Sequence, residues 1–182
     1  DTLLKRITAY QWPALDKPHL TYADIAAELK TLAERDRITL THIGNSFQGQ
    51  PIHRLSIGQG PLKLLAWTQM HGDEPTATAA MLDLLAMLSE PACDDIISDN
   101  WLSQVTLHII VMLNPDGALQ QRRENAQGID INRDARALQT PEGRLLEQQV
   151  RELHPDVGFN LHDQSRYYAV GGSKKPATLS FL

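Results

Sequence analysis

The sequence predicts an α/β fold, a three-layer sandwich with a mixed, largely parallel central sheet flanked by helices. Three observations carry that expectation. Two segments, "LKLLAWTQM" (62–70) and "SQVTLHIIVML" (103–113), are nearly all apolar, as strands covered on both faces must be. Segments with apolar residues at helical spacing follow each of them. The resulting order of strand, helix, strand, helix, strand is that of crossover units feeding a mostly parallel sheet.

Each element has its own local reason. Residues 1–36 read as an N-terminal helical segment, ahead of a single domain over 37–182. Within that segment "TYADIAAELKTLAER" (21–35) has a helical stripe, with Thr21 or Asp24 as its cap. "RITLTHIGNS" (37–46) and "QPIHRLSIG" (50–58) alternate apolar and polar residues around "FQGQ", which predicts a β-hairpin. Pro75 suits a first helical turn, and "TATAAMLDLLAML" (76–88) continues it with Met81, Leu84, Leu85 and Leu88 as the expected core stripe. "NPDG" (114–117) is read as a turn closing the second core strand. "TPEGRLLEQQVREL" (140–153) opens like a capped helix, and "DVGFNLHD" (156–163) returns to a strand.

Composition excludes several classes. With 182 residues, 42% hydrophobic and 21% charged, the chain has the make-up of one globular domain and not of a disordered tract. A net charge of −5 offers no electrostatic footprint for nucleic acid. No apolar run approaches the roughly 20 residues of a membrane span. The single cysteine, Cys93, cannot close an internal disulfide and reads as a small thiol, so nothing marks an oxidising compartment and a cytoplasmic location is slightly favoured. Oligomeric state leaves no signal.

Ligands of open α/β sheets sit beyond the carboxyl ends of the strands. His71, the "NPDG" turn and His162 all fall at such ends. "HGDE" places His71 and Glu74 three residues apart on a tight strand-to-helix turn, where both can meet one ion, and "NLHDQ" supplies His162 from another strand end. Two imidazoles and a carboxylate, leaving one position open for water, are what a catalytic zinc requires. The segment "RRENAQGIDINRDA" (122–135) adds Arg122, Arg123, Asp130, Asn132 and Arg133 around what reads as a short strand. An amide beside a guanidinium offers a fork of donors suited to a carboxylate. Asp130 is suited to accept the second ring N–H of a metal-bound histidine.

The ordered set "HGDE", "NPDG", "RRENAQGIDINRD" and "NLHDQ" resembles the zinc carboxypeptidases of the carboxypeptidase A superfamily, peptidase family M14, in its bacterial-type members. The resemblance covers roughly residues 38–165. It implies the zinc-carboxypeptidase-like fold, one bound zinc ion and a peptide or small amide substrate with a free C-terminal carboxylate. It also implies His71, Glu74 and His162 as metal ligands and Asp130 as the partner behind His71. Arg123 takes the oxyanion-stabilising role, its spacing to "EN" favouring it over Arg122, and Asn132 with Arg133 grips the substrate carboxylate. The family's general-base glutamate lies well downstream of the last histidine. After Asp163 this chain has no aspartate or glutamate, so an incomplete chain is expected.

Two other functions fit the same residues. One is a zinc deacylase of the aspartoacylase and succinylglutamate desuccinylase kind, acting on a small N-acyl amino acid. The other is a zinc-holding module without turnover. His19, His42, His53, His108 and His154 have no partner pattern, and His108 in "TLHIIV" reads as a hydrogen-bonded sheet residue. Arg122 with Glu124 reads as a surface ion pair. Tyr167 and Tyr168 read as packing aromatics.

Overall fold

The computed structural model describes residues 8–90 and 100–163. Cys93, Tyr167 and Tyr168 therefore lie outside the described residues. Helix α1 (Tyr22–Ala33) is capped as expected, with the Thr21 N–H donating to the Asp24 carboxylate at 2.9 Å. Strands β1 (Ile38–Asn45) and β2 (Pro51–Ile57) form the antiparallel hairpin, with Ile38 opposite Ile57 and Asn45 opposite Pro51. Then come β3 (Leu62–Thr68), α2 (Thr76–Leu88), a single helical turn α3 (Trp101–Gln104) and β4 (Val105–Val111). Helices α4 (Pro115–Gln120) and α5 (Pro141–Leu153) precede β5 (Val157–Leu161). Among the described residues no helix is long and apolar enough to cross a membrane.

The five strands pair in the order β1-β2-β4-β3-β5. β3 is parallel to both β4 and β5, while β2 joins β4 antiparallel, so the sheet is mixed as predicted. The chain leaves β3 to reach β4 on one side, then returns past β3 to lay β5 on the other. Ligands of open α/β sheets sit at such a reversal, beyond the carboxyl ends of the strands, here those of β3 and β5. Two residues separate Thr68 from His71, and His162 directly follows Leu161.

The three layers follow from period-two burial in β4. Ile109 and Val111 join a core with α1 (Ile25, Leu29, Leu32) and α2 (Leu82, Leu85, Ala86). Ile110 points the other way, into a smaller core with Ile52, Leu65 and the α5 residues Leu145, Leu146 and Leu153. The α2 stripe is shifted from the expected one: Leu85 and Leu88 are buried, but the centre is Leu82 and Ala86, and Met81 and Leu84 lie at its edges. Spacing alone gives the width of an apolar face, and the sheet beneath decides its phase.

Two expectations fail on local chemistry. "NPDG" is no closing turn: Asn114 accepts the Gly117 N–H at 2.9 Å and so starts helix α4, with Pro115 in its first turn. Residues 129–133 form no strand. Asp130 caps a 3-10 turn, Ile131–Arg133, by accepting the Asn132 N–H at 2.9 Å. In both places a side-chain oxygen claims a backbone donor that an extended chain would have offered to a neighbour.

His108 is the hydrogen-bonded sheet residue expected, its Nδ1 2.8 Å from Ser56 Oγ across the β2–β4 pairing. Burial first, then the charges of Arg54 and Lys63, push its pKa down to about 4. A depressed histidine binds its proton in the unfolded chain before the folded one. Its contribution is therefore fully present above pH about 6.5 and is lost as pH falls from there to about 4, a loss on the order of 3 kcal/mol. Urea unfolding of His108→Gln across that window should show a flatter pH dependence than the wild type. Parallel curves would refute this assignment.

Candidate metal centre

The exit of β3 is fixed before any ligand is placed. Gln69 adopts a left-handed conformation with φ 48°, and its fully buried amide donates to the carbonyls of Leu20 (3.0 Å) and Gly72 (2.9 Å). Thr78 of α2 donates to the same amide's oxygen at 2.8 Å. β4 is zipped to this corner through Leu113 N–H on the Thr68 carbonyl (3.0 Å) and Asn114 N–H on the Gln69 carbonyl (3.2 Å). The Asn114 amide also reaches the Met70 carbonyl at 3.2 Å. Gly72 is required by close approach, since a Cβ there would stand 2.0 Å from the backbone carbon of Gly117. "HGDE" and "NPDG" are thus two backbones pressed together at their glycines.

From this corner three donors converge. His71, 1% exposed, presents Nδ1 to Glu74 Oε1 at 2.9 Å. His162 presents Nδ1 to Glu74 Oε2 at 2.7 Å, and the two imidazole rings lie 4.6 Å apart. One ligand atom from each of the three residues lies within 4.8 Å of the others. Behind the group, His71 Nε2 meets Asp130 Oδ1 at 3.1 Å. Arg123 donates from Nε to Asp130 Oδ2 at 3.0 Å and brings Nη1 to 3.9 Å from Glu74.

The charges reinforce one another. Burial alone would raise the Glu74 carboxyl, but its hydrogen bonds from His162 and His71 outweigh that and hold it at about 2. Burial likewise opposes the charged forms of His71 and Asp130. The carboxylates of Glu74 and Asp130 nevertheless raise His71, and His71 and Arg123 lower Asp130. The donor set fits zinc: two imidazole nitrogens and a carboxylate, with a second carboxylate holding the far nitrogen of one ring. His71, Glu74 and His162 are the residues that can hold such an ion.

The other predicted residues are distributed unevenly. Arg123 and Asp130 join the group. Asn132 stands at its rim, its side-chain oxygen accepting from Asn160 of β5 at 3.1 Å. Arg133 is exposed, its Nη1 on the Asn132 carbonyl at 3.2 Å, and is not drawn into the cluster. Arg122 turns away to the Asn125 carbonyl instead of pairing with Glu124.

Sequence reasoning missed the groups that hold the loop carrying Arg123 and Asp130. Asn125 and Glu142, both fully buried, are joined at 3.0 Å, and Glu142 also accepts the Phe47 N–H at 2.9 Å. Fully buried Asp116 accepts from Ser46 Oγ (2.7 Å) and the Gln48 N–H (2.9 Å), bolting the β1–β2 turn to α4. The signal for Glu142 was "TPE", which names a helix start but not an inward-facing carboxylate. Gly72→Ala should lower the stability of the folded chain by about 3 kcal/mol, because neither facing backbone can retreat. An unchanged urea midpoint would show that the two turns are not in forced contact.

The geometry agrees with comparisons to known proteins. Residues 25–156 match the family model described as zinc carboxypeptidase. Carboxypeptidase SOL1 of Arabidopsis thaliana is 30% identical, over 81% of this chain and 34% of that protein. Carboxypeptidase 2 of Trichophyton tonsurans is 27% identical over 62% of this chain and 21% of its own length. Among solved structures, a Pseudomonas aeruginosa metallo-carboxypeptidase in complex with (2-guanidinoethylmercapto)succinic acid superposes with a TM-score of 0.70. It is 26% identical, and the match covers 79% of this chain and 40% of that one. A Burkholderia cenocepacia metallo-carboxypeptidase shares the fold, at a TM-score of 0.71 and 22% identity, with 79% and 41% covered. The chain therefore spans about a third or less of the curated relatives named here, and it belongs to the zinc carboxypeptidase family.

Proposed function

We propose that the protein is a zinc-dependent metallocarboxypeptidase that hydrolyses the C-terminal amide bond of a peptide. The observation that supports this reading best is the meeting of His71, Glu74 and His162 on one rim of the sheet, with Asp130 behind His71. Zinc held there would polarise the scissile carbonyl and bring the pKa of a bound water from about 15.7 towards about 7.

The chain's own residues would do the rest. Asp130 fixes the tautomer of His71, leaving Nδ1 free to face Glu74 and the ion. The same carboxylate takes Arg123 Nε, which keeps the outer guanidinium nitrogens of Arg123 near the cluster, where they can stabilise charge developing on the carbonyl oxygen. Asn132 and Arg133 would bind the terminal carboxylate of the substrate. Arg133 is exposed and, among the described residues, is held by the neighbouring Asn132 carbonyl alone, so it can swing to that anion. Fixing the carboxylate would bring only the last amide bond to the metal. In the Pseudomonas aeruginosa relative, the bound succinic acid derivative carries the kind of anionic group this pair suits.

Metal analysis of the full-length protein should find one zinc per chain in the wild type and none in His71→Ala; equal zinc in both would overturn the ligand assignment. Arg133→Ala should lower kcat/KM for peptides with a free α-carboxylate by about 10- to 100-fold, the loss of a charge-assisted pair. C-terminally amidated peptides should be unaffected, and equal losses on both would refute the role given to Arg133. The matched family does not favour the deacylase reading. A dipeptide and an N-acyl amino acid assayed side by side should show turnover of the dipeptide.

A further inference from the structure

Helix α2 begins without a cap of its own. Pro75 occupies the cap position and offers no side-chain acceptor, and the first turn contains no acidic residue. The acceptor comes from 87 residues away, where Asp163 Oδ2 takes the Thr76 hydroxyl at 2.9 Å and the Thr76 N–H at 3.4 Å. A carboxylate is favoured at the positive end of a helix, whichever strand supplies it.

Asp163 also acts through its backbone. Its N–H donates to Glu74 Oε2 at 3.4 Å, the same oxygen that receives His162 Nδ1 at 2.7 Å. A small closed circuit results: Glu74, Pro75 and Thr76 along one segment, His162 and Asp163 along the other, with contacts at both ends. Pro75 stiffens the first segment by fixing its φ. The second segment needs the tie. Among the described residues β5 pairs only with β3, and that register ends at Leu161, so no described strand pairing holds His162 itself.

We propose that Thr76 and Asp163 form a clasp that positions Glu74 and His162 against each other, both acting as positioning residues for the metal centre. The inference rests on the ligand assignment above. Without the clasp the end of β5 would swing relative to the α2 turn, and a metal site loses affinity when its ligands are not held to within about 0.5 Å.

Zinc is titrated against a competing chelator into the metal-free full-length protein, with the melting temperature of each metal-free variant recorded alongside. Asp163→Ala and Thr76→Val should each weaken zinc by about 10- to 100-fold. Thr76→Ser, which restores the hydroxyl, and Asp163→Asn, which keeps an acceptor oxygen, should recover most of that affinity. If Asp163→Ala does not fold, the pair Thr76→Val and Thr76→Ser decides the matter. Wild-type affinity in Asp163→Ala and Thr76→Val, with only a lower melting temperature, would make Asp163 a helix cap and overturn the clasp. Wild-type affinity in His71→Ala would instead show that the ligand assignment itself is wrong.

Discussion

One carboxylate holds the site together. Glu74 gives one oxygen to His71 and the other to His162, and these two contacts join the exit of β3 to the end of β5. A half-buried carboxylate is costly unless its lone pairs are answered. Here two imidazoles answer them, and the Arg123 guanidinium stands 3.9 Å from one of its oxygens. Remove Glu74 and the rings of His71 and His162, 4.6 Å apart, would face each other with nothing between them to favour their approach.

The surrounding fold brings these groups into reach. Parallel pairing of β3 with β4 and β5 puts three carboxyl ends on one rim, and the strand order reverses there. Around that rim buried polar side chains answer backbone groups, Gln69 by donating to carbonyls and the others by accepting N–H bonds. Gln69, Asn114, Asp116, Asn125 and Glu142 are all fully buried, and each is hydrogen-bonded to a loop or strand end. Leaving any one partner unanswered would cost about 1–3 kcal/mol, so this lattice rigidifies the loops that carry Arg123 and Asp130. Precision at the metal centre is in that sense inherited from residues that never touch it.

Much of this was legible in the sequence. The apolar runs that became β3 and β4 and the alternation of the β1–β2 hairpin were read from pattern, and α1, α2 and α5 ended within two residues of expectation. His71, Glu74 and His162 stood out because spacing puts the first pair on one turn and because strand ends in such sheets collect ligands, and the fold brings the three together. What escaped the reading was set by tertiary partners. Asn114 and Asp130 started helical turns where a closing turn and a strand were expected, since each side chain captured a nearby N–H. Glu142 and Asp116 gave no sign of facing inward, because burial of a carboxylate depends on donors brought from Asn125, Phe47, Ser46 and Gln48 by the fold. Asp163 beside His162 reads equally as a support for the ligands or as an exposed strand-end carboxylate, and its contact with Thr76, 87 positions away, gives no sign in the sequence.

The proposed function requires that two imidazoles and one carboxylate from this rim bind a single cation. X-ray absorption at the zinc edge of the metal-loaded protein tests it most directly. Two imidazole nitrogens and carboxylate or water oxygens are expected at about 2.0–2.2 Å from the zinc, with the more distant scattering of two rings. A sulfur shell near about 2.3 Å, or a shell of oxygens alone, would contradict it.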